Sequence, residues 1–135
     1  MIRVYHTAIR PDIPSDRRFR ISALFVLPDA PECETIWRGD HPNLHYQLVA
    51  EIEGTDLEKA FELTNSIDHY WGVNKGLKVC GNQRYRSTSV GDVVQDTDTG
   101  TVYMVTGVGF QALNVLTKEP DPCLPAPTTQ EQGNG

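Results

Sequence analysis

Residues 44 to 69 read LHYQLVAEIEGTDLEKAFELTNSIDH, and a change of rhythm inside this stretch decides the fold class. From Leu44 to Glu53, Leu44, Tyr46, Leu48, Ala50 and Ile52 alternate with His45, Gln47, Val49, Glu51 and Glu53. A period of two predicts a strand with one buried face. Gly54 breaks it. Beyond the glycine, Leu57, Ala60, Phe61, Thr64 and Ile67 recur three or four residues apart, the stripe of a helix lying on a sheet. Thr55-Asp56-Leu57-Glu58 opens that helix as a capping box, in which the threonine oxygen accepts from the Glu58 N–H and the Glu58 carboxylate reaches back. Asp56 and Glu58 also suit the positive end of the helix dipole. The helix is expected from Thr55 to His69, with Gly72 and Gly76 as stops.

On the N-terminal side, Ile2, Val4 and His6 alternate with Arg3, Tyr5 and Thr7, an opening strand, and Ile9 to Asp16 is a loop with Pro11 and Pro14. Phe19, Ile21, Ala23, Phe25 and Leu27 share one face of a second strand, whose far half adds Leu24 and Val26 on the other and so reads as central. Pro28 to Pro42 reads as irregular. On the C-terminal side, Lys78 to Gly81 reads as a short strand. Asp92 to Gln95 and Thr101 to Thr106 form a hairpin around Asp96-Thr97-Asp98-Thr99-Gly100, and Phe110 to Leu116 is a last strand after a turn bracketed by Gly107 and Gly109. The expected fold is α+β, a mostly antiparallel sheet of about 5–6 strands against one main helix over 55–69. One domain spans 1–118, and the Pro-, Thr-, Gln- and Gly-rich residues 119–135 read as a disordered tail.

With 135 residues, 39% of them hydrophobic and 22% charged, the chain can bury a core without disulfide or metal staples. A net charge of −6 opposes coating of nucleic acid or of an anionic membrane, because phosphate binding needs a positive field. The N-terminal arginines, Arg3, Arg10, Arg17, Arg18 and Arg20, read as a solvated loop that can meet an acidic partner. Three scattered cysteines, Cys33, Cys80 and Cys123, form no C-x-x-C pair and fit a reducing compartment. No stretch has the length of a signal peptide's apolar core or a membrane span, so a soluble, cytoplasmic protein is expected.

Short motifs that suggest chemistry each have a plainer reading. Asp98-Thr99-Gly100 is the tripeptide of aspartic proteases, but it sits in a polar run that reads as a hairpin turn. Read as a calcium loop, the same residues lack the acid at position five and the glutamate at position twelve, where Gly107 stands. His41 and His45 have helical zinc spacing, but Pro42 places them at a loop-to-strand junction with no third ligand. Cys80 with His69 would make a nucleophilic pair only if the fold joined them, and buried cysteine usually serves as a small hydrophobe. No catalytic residue, metal site or cofactor is therefore expected.

Two places suit binding better. His69 lies at the negative end of the expected helix and Trp71 follows, either capping the core or forming an aromatic recognition edge. Arg86, Ser87, Thr88, Ser89 and Asp92 cluster around Gly91, where successive N–H groups can cradle an anion or hydroxyls can satisfy a local turn.

Phe61-x-Leu63-Thr64-Asn65-Ser66-Ile67-Asp68, Trp71, Arg86-Ser87-Thr88-Ser89-Val90-Gly91-Asp92-Val93-Val94, Tyr103 and Val108-Gly109-Phe110 together resemble a YodL-like domain. The resemblance covers residues 56–113, and its most specific part is the Arg-Ser-Thr-Ser-Val-Gly-Asp-Val run. It implies a protein of phages, plasmids and other mobile elements, and carries no catalytic residues. The implied function is non-enzymatic: binding a host protein, as a counter-defence inhibitor of the anti-restriction or anti-CRISPR-like kind. The alternative is a small-ligand or nucleotide-binding module using the Arg86–Asp92 turn.

Overall fold

The computed structural model describes residues 1–14, 29–66, 70–81 and 83–115. The strand expected at Phe19–Leu27 and the tail from Glu119 lie outside the described residues. Six strands, β1 (Ile2–Ile9), β2 (Leu44–Ile52), β3 (Leu77–Val79), β4 (Val93–Asp96), β5 (Val102–Thr106) and β6 (Gly109–Ala112), form one sheet in the order β3-β2-β1-β4-β5-β6. Every neighbouring pair is antiparallel. The fold is α+β.

The described residues contain two α-helices, and one was not expected. α1 (Ala30–Arg38) occupies the stretch read as irregular. Pro31 falls in the first turn, where no N–H donor is missed, and the Asp29 carboxylate caps the Glu32 N–H. Gly39, at φ 83°, closes the other end in the left-handed conformation. Pro31, which reads as a breaker, therefore sits where a helix tolerates it. Cys33, Ile36 and Trp37, three and four residues apart, are its buried stripe.

α2 (Leu57–Leu63) is shorter than expected and starts later. Its cap is Asp56, whose Oδ1 accepts from the Glu58 and Lys59 N–H groups, so the Thr55 capping box is not the one used. It ends at Thr64, well before His69, because Thr64 and the two residues after it bond elsewhere. Thr64 Oγ1 turns back onto the Ala60 carbonyl, the Asn65 amide donates to the Thr88 carbonyl, and the Ser66 carbonyl accepts from Ser87 Oγ. Short polar side chains compete with the backbone in this way and end helices. Gly72, expected as a stop, instead lies within a 3-10 turn, Trp71–Val73.

The two helices cover opposite faces of the sheet. On β1, Tyr5 belongs to a core with Cys33, Ile36 and Trp37 of α1, while Ile2 and Val4 belong to one with Ala60 of α2 and Trp71. Alternation along β1 puts these sets on opposite sides. β2 does not keep a single buried face as its sequence suggests. Its register against β1 shifts between Val4↔Ala50 and Tyr5↔Leu48, leaving Val49 without an opposite residue. This β-bulge turns the strand over: Leu44, Tyr46 and Leu48 pack toward α1, and Val49, Ala50 and Ile52 toward α2. The bulged residue's carbonyl accepts from the Cys80 N–H at 2.9 Å.

Candidate functional site

Beyond the Tyr5↔Val93 pair the ladder between β1 and β4 ends, and side chains continue it. The Thr7 N–H donates to Asp92 Oδ1 at 2.9 Å, and the Thr7 carbonyl accepts from the Arg86 guanidinium at 3.1 Å. Arg86 and Asp92 are themselves joined at both ends of the fork, at 2.6 and 2.7 Å. The pair thus stands in for a strand residue, meeting both polar groups of the Thr7 peptide. Planar two-point pairing of this kind is what guanidinium and carboxylate geometry favour.

Asp92 is 1% exposed and takes a fourth donor, the Ser89 N–H, at 2.8 Å. The turn before it closes with the Asp92 N–H on the Ser89 carbonyl, and Gly91 at φ 95° supplies the third-position conformation that a type II turn demands. The Gly91 carbonyl accepts from Tyr46 Oη at 2.8 Å and Thr7 Oγ1 at 3.1 Å. The Cys33 thiol also points at this carbonyl, and burial pushes its pKa up to about 11, away from nucleophilic use. Burial likewise raises the pKa of Tyr46, and the Asp92 hydrogen bond raises that of Arg86.

On the opposite face of β1, a chain of hydrogen bonds runs inward from the same turn. Thr64 Oγ1 donates to the Ala60 carbonyl and Thr88 Oγ1 donates to Thr64 Oγ1, so Thr88 accepts the proton that His6 carries on Nε2, at 2.8 Å. His6 is 3% exposed, lies edge-on to Trp71 and Tyr85, and has Asp92 Oδ2 at 4.0 Å. Its pKa is lowered to about 4 by burial, against the Asp92 carboxylate, which raises it, and with Arg86, which lowers it further. Because the ordinary value is 6.5, the unfolded chain takes up this proton first as the solution is acidified. His6 therefore favours the fold fully above about pH 6.5, and its contribution is lost as pH falls toward 4, roughly 3 kcal/mol in all. Urea midpoints of the wild type should fall more steeply over this window than those of His6→Gln. Parallel pH slopes in the two proteins would sink the assignment of a neutral buried imidazole.

Of the residues singled out in sequence, Arg86, Ser87, Thr88, Ser89, Asp92 and Trp71 come together, and His69 lies outside the described residues. Trp71 is 1% exposed, in the core rather than on an edge, with its indole N–H on the Tyr85 and Arg86 carbonyls at 3.1 and 2.8 Å. The Thr88 N–H, hydroxyl and carbonyl are all bonded to the end of α2. Of the set, Arg86 and Ser89 are exposed and Ser87 is half-buried. The donors of the turn thus already surround an anion, the Asp92 carboxylate. An incoming anion would have to displace it.

Comparison with protein-family models, with curated proteins and with solved structures finds no match to the chain. The site is therefore read from its own geometry.

The remaining short motifs resolve into local structure. Asp96 Oδ1 accepts from the Asp98 N–H in the β4–β5 turn, and the Asp98 carboxylate is 67% exposed beside the N-terminal amine. His41 Nδ1 accepts from the Asn43 and Leu44 N–H groups, leaving Nε2 to donate to Glu32 at 3.1 Å. Nδ1 is thereby committed to the start of β2 and Nε2 to α1. Cys80 is buried in the core beneath α1. His6, Thr7, Tyr46 and Tyr85 are the participants that motif reading misses. For His6 the signal was its place in the inward phase with Ile2 and Val4.

Proposed function

We propose that the chain is a non-enzymatic binding protein of the mobile-element type. It acts in the cytoplasm by occupying a surface of a host protein, as a counter-defence inhibitor. The observation that carries this reading is the closure of the Arg86–Asp92 cluster upon itself. A buried carboxylate with four internal donors, a buried Thr88 and a thiol raised to about 11 make a rigid scaffold rather than a reacting centre. The segment resembling a YodL-like domain, 56–113, contains this scaffold, which agrees with a family that carries no catalytic residues. No described helix is long and apolar enough to cross a membrane.

Scaffolds of this kind present their function on surfaces they hold in place, and rigid presentation lowers the entropy lost on association. Immobilised protein exposed to extract of a bacterial host should retain one partner in stoichiometric amount, resistant to nuclease treatment. Extracts that yield no such partner, from hosts carrying restriction and CRISPR systems, would remove this function.

A further inference from the structure

The stretch from Tyr70 to Gly91 contains Lys75, Lys78, Arg84 and Arg86 and no acid, whereas all 18 acids of the chain lie elsewhere against eight bases. Arg86 is taken by Asp92, and Lys78 lies 3.9 Å from Glu51. Lys75 and Arg84 are exposed, and among the described residues neither has a carboxylate partner. Instead the Arg84 guanidinium lies over the Tyr70 ring, 4.1 Å from its centroid. That ring leans on Trp71, which in turn stacks on Tyr85, so the exposed arginine ends a row of aromatics rooted in the core.

Gly72 is what lets the row form. A methyl group at residue 72 would lie 2.4 Å from the Tyr70 ring, so only glycine leaves the ring its seat. Val73, 70% exposed, follows directly and sets an apolar side chain between Tyr70 and Lys75 in the chain. Arginine and tyrosine are two of the residue types enriched in protein-interface hot spots. A guanidinium stacked on an aromatic keeps its edge donors for a carboxylate.

The geometry points to Tyr70, Val73, Lys75 and Arg84 as the docking surface, and to an acidic segment of a partner protein as its occupant. This rests on the binding-protein reading and names the face that does the binding. Charge decides the occupant. Two cations that no described carboxylate pairs, on a chain of net charge −6, are too few to hold a phosphate backbone against the repulsion of the rest. They suffice for a pair of carboxylates flanking an apolar contact, where local complementarity sets the register.

Selection from a random linear-peptide library on the immobilised protein tests the surface without a known partner. Enriched peptides should be rich in aspartate and glutamate with an interspersed apolar residue, and their binding should weaken with added salt. Arg84→Ala with Lys75→Ala should reduce that binding at least tenfold. Gly72→Ala, which leaves every charge in place, should also weaken it by displacing Tyr70. Unchanged thermal midpoints for the double variant show that the fold is intact. Enriched peptides without acidic bias, peptides that bind the double variant equally, or a single-stranded oligonucleotide that binds as tightly as the acidic peptides would each overturn the proposal. The host partner captured by the wild type separates the two readings. Equal capture by the double variant moves the binding face elsewhere, and no capture by either protein removes the binding function itself.

Discussion

Deleting Val49 should leave the protein folding cooperatively, because the residue removed is the extra one. The bulge at Val49 lets β2 serve α1 with Leu44, Tyr46 and Leu48 and serve α2 with Ala50 and Ile52. Without Val49, Leu48 and Ala50 become neighbours in an unbroken pleat, so both sets keep their faces and their partners Tyr5 and Val4 on β1. Lost are the burial of the valine side chain and the Val49 carbonyl that accepts from the Cys80 N–H, together about 2–4 kcal/mol. Val49→Ala is the control. It keeps the bulge and should cost only about 2 kcal/mol for the lost methyl groups. Urea titration followed by circular dichroism distinguishes them: a sigmoidal transition for both, with the lower midpoint for the deletion. A deletion variant with no cooperative transition would show that the bulge itself is required for folding.

The same residue shows where sequence stops informing. Leu44 to Ile52 alternates without a break, so the strand itself is plain, but a single extra residue changes which face is inside and leaves the alternation untouched. The antiparallel hairpin of β4 and β5 was equally plain, because its turn residues and flanking β-branched runs are local signals. The start of α1 carried its own local signal in Asp29, Pro31 and Glu32, outweighed by the count of prolines around it. The end of α2 carried only the short polar run Thr64-Asn65-Ser66 as a local signal. Thr64, Asn65 and Ser66 leave the helix because Thr88, Asn74 and Ser87 meet them across the fold, and those partners lie 8 to 24 residues away. In the site, the Arg86–Asp92 run stood out by composition, since arginine, hydroxyls, glycine and aspartate mark a specialised turn. That its anion would be its own Asp92 depends on Thr7, whose peptide groups are met by Asp92 and Arg86 from some 80 residues further along the chain. Gly72, read as a helix stop, matters for the ring it seats rather than for backbone freedom.

Asp92→Ala should be the most destabilising point substitution in the turn, by about 3–5 kcal/mol, the range for breaking a buried pair from one side. Arg86 accounts for the smaller part. Its side chain is 47% exposed, so water resolvates the guanidinium once the carboxylate is gone. The larger part comes from the Thr7 and Ser89 N–H groups, half-buried donors that lose their acceptor; a donor left without a partner away from water costs about 1–3 kcal/mol. Arg86→Ala should cost less, about 2 kcal/mol, because the carboxylate keeps those two backbone donors and water enters the vacated space. Urea unfolding gives the ranking, and amide hydrogen exchange locates it. In Asp92→Ala the Thr7 amide should exchange much faster than its neighbours in β1, whereas in Arg86→Ala it should stay protected by the Asp92 oxygen. If Asp92→Ala lies within about 1 kcal/mol of the wild type, the carboxylate is not the keystone of the turn, and its four donors have water to turn to. The turn would then be open to an external anion, and the closed scaffold that supports the binding-protein function would have to be given up.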